Sequence, residues 1–370
     1  MPMLNILLTT AGGGNANNLV RSLKKSELTC NIIGTNISKF ELAKSIADKH
    51  YLVPRFNHKD YLPAIREILQ RESVDFCIPN HEFEIQQIVA SGAADILAKT
   101  FLPSRATVDL CVDKSALVGK LANSGMNVPK SIVLTSYDDL ARRFDEVKVR
   151  EDLPVWVRLR RGSGSAGAAP VYTREEALFW IQYWEMHKNV TISDFMISEY
   201  LPGRDHHFFS LWKNGEMIVG KSIQRLEYVC SKYTVSGTSS SPSLCKLVND
   251  PEVFDVCRQC VLAIDPNAQG LFGIDLKGNI QGTPFLTEIN IGRFPRINYI
   301  FNLVGANIAQ FYVQCGLGID VQPQAPTPPP ETLYYLMRDF DTIPVLKTQA
   351  EIDNSFLTLT GKSDLSSGAL

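Results

Sequence analysis

The chain has 370 residues, 45% hydrophobic and 21% charged, enough for two or three soluble domains that each bury a core. Its 37 basic and 39 acidic residues leave a net charge of −2, so no charge excess points to nucleic acid or an anionic membrane. No apolar run reaches the roughly 18 residues that span a bilayer, and no basic stretch precedes the apolar Leu4–Leu8, which argues against a signal peptide.

The predicted elements begin with alternating strand and helix signals over 1–111. NILLTT (5–10) is a strand, and AGGGNANNLVRSLKK (11–25) is a Gly-rich turn entering a helix. Strands follow at 31–37, 51–54 and 74–80, with helices at 40–49, 61–72 and 82–97. Apolar strands alternating with helices predict a doubly wound parallel sheet covered on both faces. The turn Gly12-Gly13-Gly14 lies at the carboxyl end of the first strand, where such sheets bind ligands. It is not GxGxxG, so a nicotinamide enzyme lacks its fingerprint; a tight packing turn and a substrate-facing loop both remain open.

From position 112 the pattern changes. A helix is expected at 113–125, with Asp113 as its N-cap and Gly125 past its end, followed by an extended stretch at 128–136. The strand VWVRLR (155–160), a Gly/Ser loop, a helix at 173–187 and a strand at 194–201 make a small α+β module. Strands at 206–212 and 215–223, a helix at 251–264, a hairpin at 271–290 and a helix at 304–316 come next. The Pro-rich stretch 322–330 reads as a linker, 334–340 as one strand and 363–370 as a flexible tail. Eight cysteines are scattered; Cys257 and Cys260 sit in a helical pattern with no second pair for a zinc site, so buried thiols in a reducing cytoplasm are expected.

Three stretches carry chemistry. In the hairpin, Glu288 and Asn290 are two apart on a strand and share a face, and Asp275 on the preceding strand falls opposite Glu288. Such hard oxygen donors suit Mg²⁺, which takes one or two carboxylates and substrate phosphates; alone, the hairpin equally reads as a polar edge. Arg158, Arg160 and Arg161 precede Gly162-Ser163-Gly164-Ser165-Ala166-Gly167, a loop whose N–H groups can cradle phosphate but which is no P-loop. Glu199-Tyr200-Leu201-Pro202-Gly203-Arg204-Asp205 joins two strands and offers backbone groups to an adenine and a carboxylate to a ribose.

In order and spacing these stretches, with Asp113-Lys114 opening a helix and LFGIDLKGN…FLTEINIGRF, resemble the ATP-grasp superfamily over about 1–320. The similarity is strongest to the ATP-binding half of the carbamoyl phosphate synthetase large subunit and to its short stand-alone ligase relatives. It implies an α/β plus α+β architecture: a Rossmann-like domain at 1–111, a central helix and lid at 112–202, a C-terminal lobe with the Mg²⁺ site at 203–321, and linker, strand and tail at 322–370. It implies that Lys114, Arg158 and the loop residues Gly162, Ser163, Gly164 and Ser165 meet the ATP phosphates. Glu199, Tyr200 and Leu201 match the adenine side, Asp205 the ribose acid, and Asp275, Glu288 and Asn290 the Mg²⁺ (or Mn²⁺) ligands. Arg293 and Arg296 compete for the arginine that stabilises the acyl-phosphate, because GRFPR carries one extra residue.

The loop SGTSSSPSL (236–244) lacks the histidine and acid of the synthetase loop it resembles, which counts against bicarbonate activation. The expected reaction is therefore ADP-forming ligation of a small carboxylate to an amine, with a bicarbonate- or carbamate-phosphorylating enzyme and a nucleotide-binding regulatory subunit as alternatives. Neighbours on a strand, His206 and His207 must face opposite ways; Glu82 or Glu84, after the strand VDFCIPN, is a candidate for binding the amine. The expected partners are the two small substrates, with no nucleic acid or membrane, and a second copy of the chain docking through 334–340.

Overall fold

The computed structural model describes residues 2–162, 164–237, 241–324, 334–337 and 354–357. Its first sheet is parallel, in the order Lys49–Leu52, Cys30–Asn36, Leu4–Leu8, Phe76–Ile78. Side chains alternate across it. Ile6 and Leu8 pack with Leu19 and Leu23 of helix Gly14–Lys24, while Leu7 packs with Ile65 of helix Tyr61–Arg71 and Ile85 of helix Glu82–Ser91. Both faces are thus covered, as a doubly wound sheet requires.

The second sheet is antiparallel and six-stranded: Pro284–Ile291, Gly270–Gly278, Asp205–Lys213, Glu216–Tyr228, Pro242–Val248, Tyr335–Met337. Its inward side chains share cores with the first sheet: Phe208, Trp212 and Phe272 lie in the cluster of Leu7, and Phe209 and Leu271 in that of Ile6. A third, four-stranded antiparallel sheet runs Ser131–Val133, Phe195–Glu199, Val155–Leu159, Ala169–Val171. It packs under helices Tyr137–Arg143 and Arg174–His187 around a core of its own, including Leu140, Val157, Ala177 and Ile197. Two sheets therefore share their cores, and the third keeps a core of its own.

Several elements differ from expectation. The helix expected at 40–49 stops at Lys44, where Ser45 turns extended, and that expected at 82–97 breaks at Gly92, whose φ is 63°. Helices Arg105–Val112, Tyr137–Arg143 and Asn298–Leu303 and strand Pro242–Val248 had no strong periodic signal. Strand Tyr335–Met337, in the stretch expected to dock on a second copy, pairs with Pro242–Val248 of its own chain and forms the edge of that sheet. Leu357 donates its N–H to the His50 carbonyl at 2.7 Å and lies along the edge of the first sheet. The tail at 363–370 lies outside the described residues, as does most of the Pro-rich linker. All cysteines are free thiols, buried except Cys230. Among the described residues no helix is long and apolar enough to cross a membrane.

Gly12 holds φ 93°, and a Cβ there would sit 1.8 Å from the Glu41 carbonyl oxygen, whereas Gly14 has open space. Gly12→Ala should therefore lose more than about 2 kcal/mol in urea unfolding, and Gly14→Ala less than about 0.5 kcal/mol. Equal effects would show that the turn is not packed as described.

Candidate active site

A cleft of ≈ 630 Å³ is walled by all three sheets. Lys114, Arg158, Gly162, Gly164, Ser165, Glu199, Tyr200, Leu201, Asp205, Asp275, Glu288, Asn290, Arg293 and Arg296 all line it. Ser163 lies outside the described residues.

Strand register builds its floor. Asp275 pairs with Glu288 and Gly273 with Asn290, which puts the three oxygen-bearing side chains on one face. A bulge after Asp275 leaves Thr287 as the extra residue; its carbonyl accepts from Arg158 at 3.1 Å and its hydroxyl donates to the Asp275 carbonyl at 3.0 Å. The same register sets Arg225 across from Asp205 and His207 across from Asp275. Arg225 donates to Asp205 at 3.0 Å and to Asp275 at 2.6 Å. His207 Nδ1 lies 2.6 Å from the same Asp275 oxygen, and Asn290 Nδ2 donates to the other at 3.1 Å. Burial would raise the Asp275 carboxyl, but Arg225 and His207 hold it well below the usual carboxylate range. Tyr228 donates its hydroxyl to Asp205. Neither Arg225 nor Tyr228 was singled out from sequence, because only the pairing of distant strands brings them here. His206 turns away from the cleft, as strand alternation demands.

Asp275, Glu288 and Asn290 fit Mg²⁺ as a donor set: two carboxylates and an amide oxygen. Among the described residues no group of three His, Cys, Asp or Glu side chains could hold a metal, so phosphates would have to complete the shell. Glu288 is the more open of the two acids, 3.4 Å from Lys114 Nζ.

The Gly-rich loop approaches from the third sheet. Gly164, Ser165 and Gly167 have φ near 60–70°, the turn of backbone that points N–H groups to one side. Lys114 Nζ donates to the Gly162 carbonyl at 2.6 Å and so ties helix Lys114–Asn123 to this loop. Arg160 and Arg161, grouped with the phosphate loop by sequence, are turned instead to Asp113, at 2.9 and 3.3 Å. Burial opposes ionisation of Asp113, but hydrogen bonds from Ser115 and Ala116 and the two arginines bring its carboxyl down to about 2. At the hinge, Leu201 is buried, Trp156 lies 6.3 Å from the Tyr200 ring, and Lys277 Nζ sits 5.5 Å over it.

The other end of the cleft is the carboxyl edge of the first sheet, lined by Thr10, Gly13, Asn80, His81 and Glu82. In the Gly12–Gly14 turn, Gly12 packs on Glu41 and Gly13 lines the cleft. Of the two acids weighed for amine binding, Glu84 is not in the cleft. It is fully buried, accepts from Thr9 at 2.7 Å and from Tyr61, and is pushed up to about 6 by burial that those hydrogen bonds only partly offset. Burial likewise raises Glu82 and lowers His81. Arg293 donates to Asn290 Oδ1, whereas Arg296 is largely exposed. Six buried polar atoms lining the cleft have no hydrogen-bond partner: Thr10 Oγ1, Asn80 Nδ2, His81 Nδ1, Arg158 Nε, His207 Nε2 and Arg293 Nε. Native proteins leave few such atoms, and their gathering here gives the cleft wall unused hydrogen-bonding capacity.

Two outcomes test this electrostatic arrangement. Arg225→Met strips two carboxylates of their shared partner and should cost about 3–5 kcal/mol in urea unfolding; a loss under about 1 kcal/mol would show that the pair is not buried as described. Glu84 has a folded pKa above its ordinary value of 4.5, so its contribution is full below that value and is lost as pH rises through about 6. The wild-type stability minus that of Glu84→Gln should fall by about 2 kcal/mol between pH 4 and 7; a flat difference would refute the assignment.

The family model described as PylC-like, N-terminal domain, matches residues 6–94. No curated protein matches the chain by sequence. Among solved structures, L-amino acid ligase from Bacillus licheniformis superposes with a TM-score of 0.63 at 15% identity, over 85% of this chain and 74% of that one. Biotin carboxylase from Campylobacter jejuni gives 0.65 at 15% identity, over 85% and 71%. Carboxyaminoimidazole ribonucleotide synthase from Aspergillus clavatus, complexed with ATP, gives 0.62 at 13% identity, over 87% and 79%. At these identities the likeness is one of fold: the chain has an ATP-grasp fold, and its residues 6–94 match the PylC-like N-terminal domain.

Proposed function

We propose that the chain is an ATP- and Mg²⁺-dependent ligase that activates a small carboxylate as an acyl-phosphate and passes the acyl group to an amine, releasing ADP. The observation that carries this reading is the convergence in one cleft of the hinge, the Gly-rich loop, Lys114, Arg158 and the Asp275–Glu288–Asn290 face. Similar folds include an L-amino acid ligase and a synthase complexed with ATP. The division at 111, 202 and 321 belongs to the same reading: a substrate-side domain, a lid and a lobe that carries the metal ligands.

In the first step one oxygen of the carboxylate attacks the γ-phosphorus. The bond to the β,γ-bridging oxygen breaks, and its electron pair stays on ADP. In the second, the amine nitrogen attacks the acyl carbon, phosphate leaves with the electrons of the C–O bond, and the amine proton passes to phosphate or solvent. Asp275, Glu288 and Asn290 would hold Mg²⁺, which would supply neutralisation of phosphate charge. Lys114, Arg158 and the loop N–H groups position and neutralise the phosphates, the hinge from Glu199 to Leu201 receives the adenine, and Asp205 the ribose. Arg293, tied to Asn290, stabilises charge on the acyl-phosphate oxygens. The third sheet, with its separate core, closes over the nucleotide and excludes water.

One observation favours a second reading, a nucleotide-binding subunit with little turnover: both Asp275 oxygens already accept bonds from protein side chains. The bicarbonate alternative keeps no support from the loop at 236–244, whose residues 238–240 lie outside the described residues.

An ADP-release screen over pooled carboxylates and amines separates these. Stimulation by one pair is expected, abolished by chelation of Mg²⁺ and restored by Mn²⁺. Glu288→Gln should lower kcat about 100-fold with little change in thermal stability, and Arg158→Met should mainly raise KM for ATP. Tight ATP binding without stimulated turnover by any pair would decide for the binding-only subunit.

A further inference from the structure

We infer that residues 354–357 form a strap that docks on the edge of the first sheet and, through Phe356, holds in place the Gly12 turn at one end of the cleft. Phe356 is thus a positioning residue that acts on the cleft wall through Ala11 and Leu42. The grip does not depend on the ligase reading above; its effect on a substrate does.

The docking is that of an added strand. Lys49–Leu52 is the outer strand of the first sheet, and Leu357 lies parallel to it, across from Tyr51. The Leu357 N–H donates to the His50 carbonyl at 2.7 Å, and the Leu52 N–H donates to the Leu357 carbonyl at 3.3 Å. A sheet edge takes an extended segment in this way, with main-chain bonds for grip and a side chain in a pocket for register. That side chain is Phe356. It packs on Ala11, Leu42 and Leu52, a buried cluster separate from the cores on the two faces of the sheet. Two hydrogen bonds and one phenyl ring are little to set against the ordering of four residues, so the docked and released forms lie close in free energy.

The cluster reaches the cleft through backbone contact. Leu42 belongs to helix Lys39–Lys44, which at six residues gains little from its own hydrogen bonds and relies on packing. Its neighbour Glu41 lies so close to Gly12 that a Cβ on the glycine would sit 1.8 Å from the Glu41 carbonyl oxygen. No side chain cushions that contact, so a shift of the helix is a shift of the turn. On the other flank, the Ala11 carbonyl accepts from Asn36 Nδ2 at 2.7 Å and the Ala11 N–H donates to the Thr35 carbonyl at 2.9 Å. Thr10, Gly13, Asn36 and Glu41 all line the cleft. Thr10 holds φ 54°, a strained angle for a β-branched residue, which persists while the surrounding packing enforces it. Release of Phe356 removes packing from Ala11 and Leu42, and the wall that they back relaxes.

The test uses the full chain, with amide hydrogen exchange read residue by residue by NMR. The Leu52 amide reports the strap, because it is bonded to Leu357; the Ala11 amide, bonded to Thr35, reports the root of the turn. Phe356→Ala removes the ring, and Leu357→Pro removes the donor to His50. Each should speed exchange about tenfold at both amides and leave amides of the third sheet unchanged. Phe356→Leu should stay close to wild type. A peptide of residues 351–362, added in excess to the Phe356→Ala chain, should restore protection at both amides. Under the ligase reading, Phe356→Ala should also raise KM for the stimulating carboxylate about fivefold with KM for ATP unmoved. Unchanged exchange at Leu52 in both variants would overturn the strap. Faster exchange at Leu52 alone would overturn its hold on the turn. Leu52 protection that grows with protein concentration would show the edge filled by a second copy instead. An unmoved carboxylate KM beside faster Ala11 exchange would overturn the strap's part in the reaction. No ADP release with any pair would sink the ligase reading alone and leave the exchange results to decide the strap.

Discussion

Arg225 holds two carboxylates at once, Asp205 at 3.0 Å and Asp275 at 2.6 Å, deep in the cleft. Without that guanidinium, the floor of the site would gather negative charge with nothing to compensate it, and burial would drive protons onto the acids. With it, Asp275 stays ionised and fixed in direction, which is the condition for any oxygen-ligated ion beside it. The arrangement depends on sheet register. Asp205 and Arg225 are cross-strand partners, as are His207 and Asp275, so a slip of one residue in either pairing would turn these groups out of the cleft.

The site joins two halves with different cores. The hairpin that carries Asp275 and Glu288 shares its core with the first sheet through Phe272, Ile274 and Ile289. The acids and the Asn80–Glu82 edge are therefore held in one packed body. The Gly-rich loop and half the hinge belong to the sheet with a separate core, joined to the rest by Lys114 and by Arg158, whose guanidinium reaches the bulged Thr287 carbonyl. The cleft thus sets the loop and Arg158 of one packed layer over the acids of another.

Two buried acids two residues apart on one helix show how environment separates like side chains. Glu84, bonded by Thr9 and Tyr61, lies under the Asn80–His81 edge, and the Thr9 hydroxyl that donates to it also accepts from the Asn80 N–H. Glu82, with no such partners, is left facing the ligand space. The sequence offered both equally, since each sits in the first turn of the same helix.

Much of the site was legible in sequence because its residues come in short local patterns. E-x-N on a strand, a Gly-rich loop after a basic strand, and Asp113-Lys114 at a helix start each imply their own geometry from backbone periodicity alone, and Lys114, Arg158, Gly162, Gly164, Ser165, Glu288 and Asn290 all line one cleft. What stayed hidden had no local pattern. Arg225, Tyr228 and His207 gain their roles from strands paired across the sheet, and Asn80 from a loop 214 residues away. Arg160 and Arg161 carry the same charge as Arg158, yet Asp113 claims them. The sequence alone determined the order of elements, the doubly wound first sheet, and which side chains share a strand face, because those follow from periods of 2 and 3.6 residues. The tertiary structure alone decided which charge meets which, which acid is left unpartnered, and that strand Tyr335–Met337 pairs within its own chain. Those outcomes depend on long-range register and on desolvation, and neither is encoded in any short window of the chain.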